Sequence, residues 1–159
     1  MIGSLIALAV MLAGGQTGAL PELGERDFLI TQLTGKADWV PTAAEAREAK
    51  AATLAVLATP NPTIRYLKEP SRVSIASRIV SYYFQYEGLS VSRTKDYAPD
   101  PSGVRHIVVH GVCMADKDEL AVMRAGGELM VYDGGDCYFD AWYNLETKQV
   151  VLFSVHGNG

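Results

Sequence analysis

The clearest helical pattern in the chain lies over residues 43–58. Thr42 and Glu45 precede it at the spacing of a capping box, in which each side chain satisfies a free backbone N–H. Apolar or small residues then recur at helical spacing, at Ala46, Ala49, Thr53, Val56 and Leu57. Pro60 and Pro62 end the pattern. The sequence therefore predicts a helix with one face suited to a core.

Two other segments have mixed patterns. The sequence allows a short helix over Arg26 to Leu33 that Gly35 would stop. Residues 71–86 combine apolar residues at helical spacing with many β-branched and aromatic side chains, which suit strands. Glu87-Gly88 would then form a turn before the alternating residues 89–92. Of the two alternatives for residues 71–86, we favour strands.

The second half of the chain has the pattern of β-strands. Strands are predicted over Val104 to Cys113, Tyr138 to Asn144 and Val150 to His156, the last two joined by a polar turn at Leu145 to Lys148. A short helix over Glu119 to Arg124 would separate the first strand from the others, with Asp116 as its cap and Gly126-Gly127 as its end.

The segment Asp133-Gly134-Gly135-Asp136 has the composition of a two-residue hairpin turn, because both glycines accept a positive φ. A helix followed by hairpin-linked strands is the element order of an α+β fold. We therefore predict an N-terminal amphipathic helix followed by a curved antiparallel β-meander of four to five strands, closed by one disulfide.

Over residues 42–156 this order of elements resembles the cystatin-like and NTF2-like rolls, in which a curved antiparallel sheet wraps a helix. The resemblance is one of outline and carries no signature residues. Such folds include inhibitors, binding proteins and enzymes, so the resemblance implies an architecture and assigns no function.

The first nineteen residues resemble a secretory signal. Residues 5–12 form an unbroken apolar run, which is shorter than the ~20 residues of a membrane span. Small residues follow, so we expect cleavage near Ala19 or, alternatively, near Gly15, and a periplasmic or secreted protein. No Lys or Arg precedes the run, which leaves an uncleaved membrane anchor as the alternative. The predicted organisation is a signal peptide over 1–19, an N-terminal extension over 20–41 and one α+β domain over 42–159.

The net charge and the number of cysteines exclude some classes of partner and site. A net charge of -4, with Lys+Arg 14 against Asp+Glu 18, gives no electrostatic reason to expect nucleic acid as a partner. The two cysteines are too few for a cysteine-only zinc site. In an oxidising compartment Cys113 and Cys137 predict a disulfide, with a reactive thiol as the alternative.

The predicted hairpins assign side chains to the two faces of the sheet, because side chains alternate along a strand. The first hairpin places Met130 opposite Phe139 and Tyr132 opposite Cys137. Adding the second hairpin gives one face with Cys137, Phe139, Ala141, Tyr143, Val150, Leu152, Ser154 and His156, and another with Tyr138, Asp140, Trp142, Val151, Phe153 and Val155.

The predicted disulfide extends this assignment to the preceding strand. Bridged cysteines on neighbouring strands share a face, since their Cβ atoms lie about 3.8 Å apart. Ile107 and Val109 then lie on the face of Cys137. The opposite face collects His106, Val108, His110, Tyr138, Asp140 and Trp142.

This second face holds the candidate chemistry. His106 and His110 would lie about 13 Å apart along one strand, which is too far for one metal ion, so no metal is expected. Asp140 lies among aromatic residues, where a raised pKa would let it act as an acid or base beside a histidine. These three residues are weak catalytic candidates. The alternative for Asp140 is an exposed carboxylate or one paired with Arg105.

No phosphate loop, dinucleotide fingerprint or Gly-x-Ser-x-Gly elbow occurs in the sequence, so no cofactor is expected. We expect a small exported protein that binds a protein or a small apolar ligand through Tyr138, Trp142 and His110 without catalysis. Membrane contact is expected only through an uncleaved signal segment. The alternative function is a small periplasmic hydrolase that uses Asp140 with His106 or His110, and a purely structural role is a third.

Overall fold

The computed structural model describes residues 23–33, 39–90, 105–131 and 133–157. The elements in chain order are β1 (Asp27–Leu29), α1 (Ala43–Ala58), α2 (Glu69–Arg78), a 3₁₀ turn (Ile79–Ser81), β2 (Tyr83–Leu89), β3 (His106–Val112), α3 (Lys117–Arg124), a second 3₁₀ turn (Gly135–Cys137), β4 (Tyr138–Asn144) and β5 (Gln149–Val155). The predicted signal segment, residues 91–104 and Tyr132 lie outside the described residues.

The strands form one five-stranded sheet in the order β1-β2-β3-β4-β5. Strands β2 to β5 are antiparallel neighbours in chain order, as predicted for a meander, whereas β1 pairs with β2 in parallel. The fold is therefore α+β with a mixed sheet. Because β1 precedes α1, the helix is not the N-terminal element of the described chain.

Helix α1 has the bounds that the sequence predicts. The Thr42 hydroxyl accepts a hydrogen bond from the Glu45 N–H while the Glu45 carboxylate accepts one from the Thr42 N–H, which completes the capping box. Its buried positions are Ala46, Ala49, Thr53 and Leu57. They pack on one side of the sheet, in a core that includes a stacked pair, Phe139 and Phe153, with ring centroids 4.8 Å apart.

The two sheet faces differ in composition. We call the side that packs against α1 the helix face; it carries Phe84, Tyr86, Ile107, Val109, Phe139, Ala141, Tyr143 and Phe153. We call the opposite side the polar face; it carries Gln85, Glu87, His106, Val108, His110, Tyr138, Asp140, Trp142, Leu152 and Ser154. The disulfide between Cys113 and Cys137 is present, with the two Cα atoms 4.8 Å apart, and Cys113 belongs to the core of the helix face.

The short helix allowed over residues 26–33 is wrong, because this segment contains strand β1. Backbone pairing with β2 continues past β1, where the Ile30 N–H donates to the Tyr86 carbonyl. Ile30 itself is 1% exposed. Pairing and burial at the sheet edge thus determine the conformation of residues 26–33, where the local sequence pattern is weak.

The preference for strands over residues 71–86 is wrong for its first half. Helix α2 covers Glu69–Arg78, and only the part from Tyr83 onward is a strand. Pro70 lies in the first turn of α2, where its fixed φ favours a helix start. Arg72 then pairs with Glu69 and donates to the Leu57 carbonyl at the end of α1, so a contact between helices outweighs the β-branched residues.

The turn predicted at Glu87-Gly88 is also wrong, because both residues lie inside β2. Gly88 is needed there because Trp39 approaches the strand backbone closely, and not because the chain turns. A Cβ at this position would lie 2.6 Å from the Trp39 carbonyl oxygen and overlap the Trp39 indole. The strand therefore continues past Gly88, and Glu87 becomes a buried strand residue.

The hairpin predicted at Gly134-Gly135 does not form. Strand β4 has β3 along one edge and β5 along the other, so no edge remains for residues 128–131 to pair with. Residues 135–137 form a 3₁₀ turn instead. Met130 is 52% exposed, and Phe139 pairs with Gly111 and Val155 rather than with Met130. The short helix before this segment is present as α3, with Asp116 and Glu119 in a capping box.

A β-bulge corrects the predicted faces of β5. Tyr143 pairs with Val150 as predicted, but Trp142 pairs with Leu152, so Val151 is an extra residue. One extra residue moves every later side chain to the other face. Phe153 and Val155 therefore lie on the helix face, and Leu152, Ser154 and His156 on the polar face.

No helix in the described part of the chain is both long enough and apolar enough to span a membrane.

Candidate functional site

Three ionisable side chains from three successive strands and a fourth from the residue just after β5 meet on the polar face. Asp140 Oδ1 lies 2.7 Å from His110 Nδ1, and Glu87 Oε1 lies 3.1 Å from the other ring nitrogen, Nε2. The second oxygen of Asp140 lies 3.0 Å from Nε2 of His156, just after β5. We call Glu87, His110, Asp140 and His156 the carboxylate–imidazole cluster.

Strand register brings the cluster together. His110 on β3 is directly opposite Asp140 on β4, which is opposite Ser154 on β5. Cross-strand neighbours on one face have Cβ atoms about 5 Å apart, so short side chains reach one another. Glu87 and His156 lie one diagonal step from this row. The bulge at Val151 is essential, because without it His156 would lie on the helix face.

Residues 126–131, between α3 and β4, fix one side of the polar face. The buried Gln85 amide donates to the Gly127 carbonyl at 2.7 Å and accepts from the Leu129 N–H at 3.0 Å. At the other end of this segment the Val131 carbonyl lies 2.8 Å from Nδ1 of His156. The segment thus contacts the polar face near both β2 and β5.

Hydrogen bonding sets the protonation of the two imidazoles. An ionised carboxylate only accepts hydrogen bonds, so a ring that faces carboxylates through both nitrogens must donate from both. His110 has this arrangement. His156 donates from Nδ1 to a carbonyl and faces Asp140 with Nε2. Both rings are therefore held as imidazolium ions with no ring nitrogen left over.

The electrostatics of the cluster agree with this assignment. Burial alone would lower the pKa of His110, but the carboxylates of Asp140 and Glu87 outweigh it and raise that pKa to about 10. The hydrogen bond that His156 donates to Asp140 likewise raises the pKa of His156. Burial favours the neutral form of Asp140, yet the two imidazolium neighbours hold its pKa well below the usual range. The expected raised pKa of Asp140 is thus not found.

Glu87 has one carboxylate oxygen in the cluster and one outside it. Its side chain is 6% exposed, and Oε1 contacts His110. Oε2 is buried and has no hydrogen-bond partner among the described residues. A buried carboxylate oxygen without a donor raises the free energy of the folded state. Both oxygens of Asp140 contact an imidazole, so the cluster stabilises the carboxylate of Asp140 more than that of Glu87.

Tyr138 and Trp142 flank Asp140 on β4. Each is two residues from Asp140 on the same strand, so the three side chains form one row on the polar face. Both aromatic residues are half-buried. The ring of Tyr138 lies 6.4 Å from that of His156, and burial raises the pKa of the Tyr138 phenol. The predicted neighbours Tyr138, Trp142 and His110 therefore share one surface around Asp140.

His106 lies elsewhere on the same face. It is fully buried, pairs across the sheet with Asn144 and packs edge-on against Trp142 at 6.4 Å. It is four residues from His110 along β3, a separation of about 13 Å in a strand. The structure thus brings His110 to Asp140 and places His106 apart from both.

Two cluster residues, Glu87 and His156, were missed by sequence reasoning. Glu87 was assigned to a turn because it precedes Gly88; a glycine that marks close backbone approach inside a strand was the available signal. His156 was assigned to the wrong face, and nothing in the local pattern around Val151 indicates a bulge.

Asp140 does not pair with Arg105, the partner considered from sequence; Arg105 lies over the Trp39 ring and within 3.9 Å of Glu45. Among the described residues, no group of three or more His, Cys, Asp or Glu side chains is arranged to hold a metal ion.

Comparison with known proteins gives no relative for this chain: no protein-family model, no curated protein and no solved structure matches it.

Proposed function

We propose that this chain is an exported, non-catalytic binding module whose ligand contacts the polar face at Tyr138, Trp142 and His110. One observation carries the proposal: both ring nitrogens of His110 and of His156 are engaged, three of them by cluster carboxylates and the fourth, Nδ1 of His156, by the Val131 carbonyl. A general base needs a free ring nitrogen within reach of the proton that it removes. A fully engaged cluster instead supplies a fixed, charged centre between two aromatic side chains.

The aromatic row fits a binding role. Tyr138 and Trp142 keep part of their rings exposed on either side of Asp140. Half-exposed Tyr and Trp are the side chains that most often anchor a partner, because they offer a large apolar area with a polar tip. The partner is a protein or a small apolar ligand.

A fluorescence experiment tests the small-ligand case. The chain has two tryptophans, so Trp39→Phe leaves Trp142 as the sole donor of indole emission. Dansylamide, a neutral apolar probe, should then show energy transfer from Trp142 that Tyr138→Ala weakens. Tyr66→Ala is the matched control, since Tyr66 is 59% exposed and lies outside the polar face. Equal transfer in both variants would contradict a site at Tyr138.

Export is part of the proposal. The disulfide between Cys113 and Cys137 supports an oxidising compartment, and the apolar run over residues 5–12 supports a signal segment. Intact mass after production in an exporting bacterial host, with thiol alkylation but no reductant, tests both. Loss of residues 1–19 or 1–15 with no alkylation is the expected result. A full-length chain with two alkylated thiols would contradict export.

The competing proposal is a small periplasmic hydrolase that uses Asp140 with His110 or His106. It is favoured by the 2.7 Å contact between Asp140 and His110, which is the geometry of a carboxylate that orients a catalytic imidazole. The ester p-nitrophenyl acetate separates the two proposals. We expect equal, background-level hydrolysis by the parent chain and by His110→Asn. Turnover that His110→Asn abolishes, while circular dichroism shows an unchanged fold, would favour the hydrolase.

The predicted likeness to cystatin-like or NTF2-like rolls remains a prediction about element order.

A further inference from the structure

A cleft with a volume of about 220 Å³ opens away from the polar face, between α1, the first 3₁₀ turn and the start of β2. Its floor is apolar: Tyr82 and Phe84 are almost fully buried there. Leu54 of α1 and Ile79 of the 3₁₀ turn form its walls. Val80 lines the same cleft and is 88% exposed.

Two cations line this apolar cleft. Lys50 Nζ lies 4.3 Å from the centre of the Phe84 ring, and Arg26 lies over the ring of Tyr83 with its Cζ 4.9 Å from the centre. One nearby anion, Asp27, is paired with Lys50 at 2.8 Å and also accepts a hydrogen bond from the Tyr86 hydroxyl. Asp27 thus neutralises Lys50, and the described residues that line the cleft include no carboxylate to pair with Arg26.

Both cations keep donors for which the described part of the chain provides no acceptor. Lysine has three N–H donors and arginine five. Lys50 donates to the two oxygens of Asp27, and Arg26 donates through Nη1 to the Ser81 carbonyl at 2.6 Å. The cleft therefore combines an apolar floor with uncommitted cationic donors beside it.

We infer that this cleft binds a small monocarboxylate with a short apolar chain, whose carboxylate lies against Arg26 and Lys50 and whose chain lies over Phe84 and Tyr82. The volume favours a small ligand, because about 220 Å³ corresponds to roughly seven water-sized groups at ~30 Å³ each. The charge limits it too, since an ammonium group would meet like charge and a hydroxyl would leave the guanidinium without an anion. This site lies on the α1 side of the sheet and is independent of the function proposed for the polar face.

Hexanoate is the probe, and chemical-shift changes in two-dimensional NMR spectra of the ¹⁵N-labelled chain are the measurement. Hexylammonium and 1-hexanol have the same chain with a different head group, and acetate has the head group without the chain. We expect saturable shifts at residues 79–84 with hexanoate, and at least about tenfold weaker binding of each of the other three. Equal affinity for hexanoate and 1-hexanol, or no shifts at these residues, would overturn the inference.

Charge variants at exposed positions keep the test independent of folding. Arg26→Gln should weaken hexanoate binding about tenfold, whereas Lys117→Gln, which removes the same charge from exposed α3, should leave it unchanged. Val80→Asp should weaken binding further than Val80→Asn, because only the former repels the carboxylate at nearly the same side-chain size. Equal effects within either pair would overturn the assignment of the carboxylate to this cleft.

Discussion

The two faces of the sheet are held by different forces. On the helix face, Phe139 stacks on Phe153 and large side chains fill the space beneath α1. On the polar face, His110 and His156 are held by Asp140, and Gln85 fixes residues 126–131 by hydrogen bonds. Apolar packing is short-ranged and insensitive to pH, whereas the energy of an ion cluster depends on protonation. Stability from one face should therefore survive conditions that remove the contribution of the other.

The largest expected effect comes from the helix face. Phe139→Ala removes a fully buried ring that contacts both Phe153 and Tyr82, so it should lower the free energy of unfolding by about 4 kcal/mol. Urea denaturation at two pH values, about 5.5 and about 9, measures it. The loss should be the same at both pH values, because no ionisable group is removed. Val80→Ala, at an exposed position, should change stability by less than ~0.5 kcal/mol.

Asp140→Asn should have the next largest effect, a loss of about 3 kcal/mol at pH 5.5, because it leaves two imidazolium ions without their shared anion. The loss should shrink as the pH rises and the imidazoles become neutral. Asp133→Asn is the matched control, since Asp133 is exposed and its side chain keeps an acceptor for the Gly134 N–H. A loss that is independent of pH would show that Asp140 acts through packing.

The pH dependence of the parent chain should be smaller but diagnostic. The pKa of His110 is higher in the folded chain than its unfolded value of about 6.5, so its contribution is complete below that pH and is lost as the pH rises toward 10. The pKa of Asp140 is lowered on folding, so its contribution is present above about pH 4 and is lost as the pH falls further. Stability from the cluster should therefore be greatest between about pH 4 and pH 6.5.

Urea midpoints across this range measure that profile. The free energy of unfolding should fall by more than about 1 kcal/mol between pH 6.5 and pH 9. The same profile in Phe139→Ala would confirm that the two faces contribute separately, because only the polar face titrates. A flat profile in the parent chain would contradict the cluster.

Glu87→Gln should have the smallest effect, about 1 kcal/mol, because Glu87 holds one imidazole and Asp140 holds two. It should also lower the pKa of His110, since one of its two anionic neighbours is lost. Differential scanning calorimetry of Glu87→Gln and of Asp140→Asn ranks the two losses of stability. An effect of Glu87→Gln larger than that of Asp140→Asn would reverse the roles that we assign to the two carboxylates.

The two faces also differ in how far the sequence predicts them. The helix α1 follows from local signals, namely the Thr42–Glu45 capping box, the apolar spacing and Pro60. The shared face of β3 and β4 follows from one long-range link, the pair Cys113 and Cys137, which correctly placed both His106 and His110 on the face of Asp140. The pairing of His110 in particular with Asp140 was not predicted. These inferences succeed because each depends either on a pattern of neighbouring residues or on a covalent bond between two cysteines.

The parts that sequence could not predict depend on packing partners far away in the chain. Gly88 has the sequence pattern of a turn, and only its packing against Trp39, 49 residues earlier, explains a glycine inside the strand. Because of this error Glu87 was not recognised as a strand residue. The bulge at Val151 has no local signature, so His156 was placed on the wrong face. The hairpin at Gly134-Gly135 was wrong because β3 and β5 already occupy both edges of β4.

The most direct test of the account is an NMR titration of the histidine side chains through long-range ¹H–¹⁵N correlations, from about pH 5 to about pH 10. We predict that both nitrogens of His110 carry protons up to at least about pH 8, and that its pKa falls toward 6.5 in Asp140→Asn. A His110 ring that is neutral at pH 7.5 and has one unprotonated nitrogen would contradict the account. That result would restore a free base beside Asp140 and favour the hydrolase over the binding module.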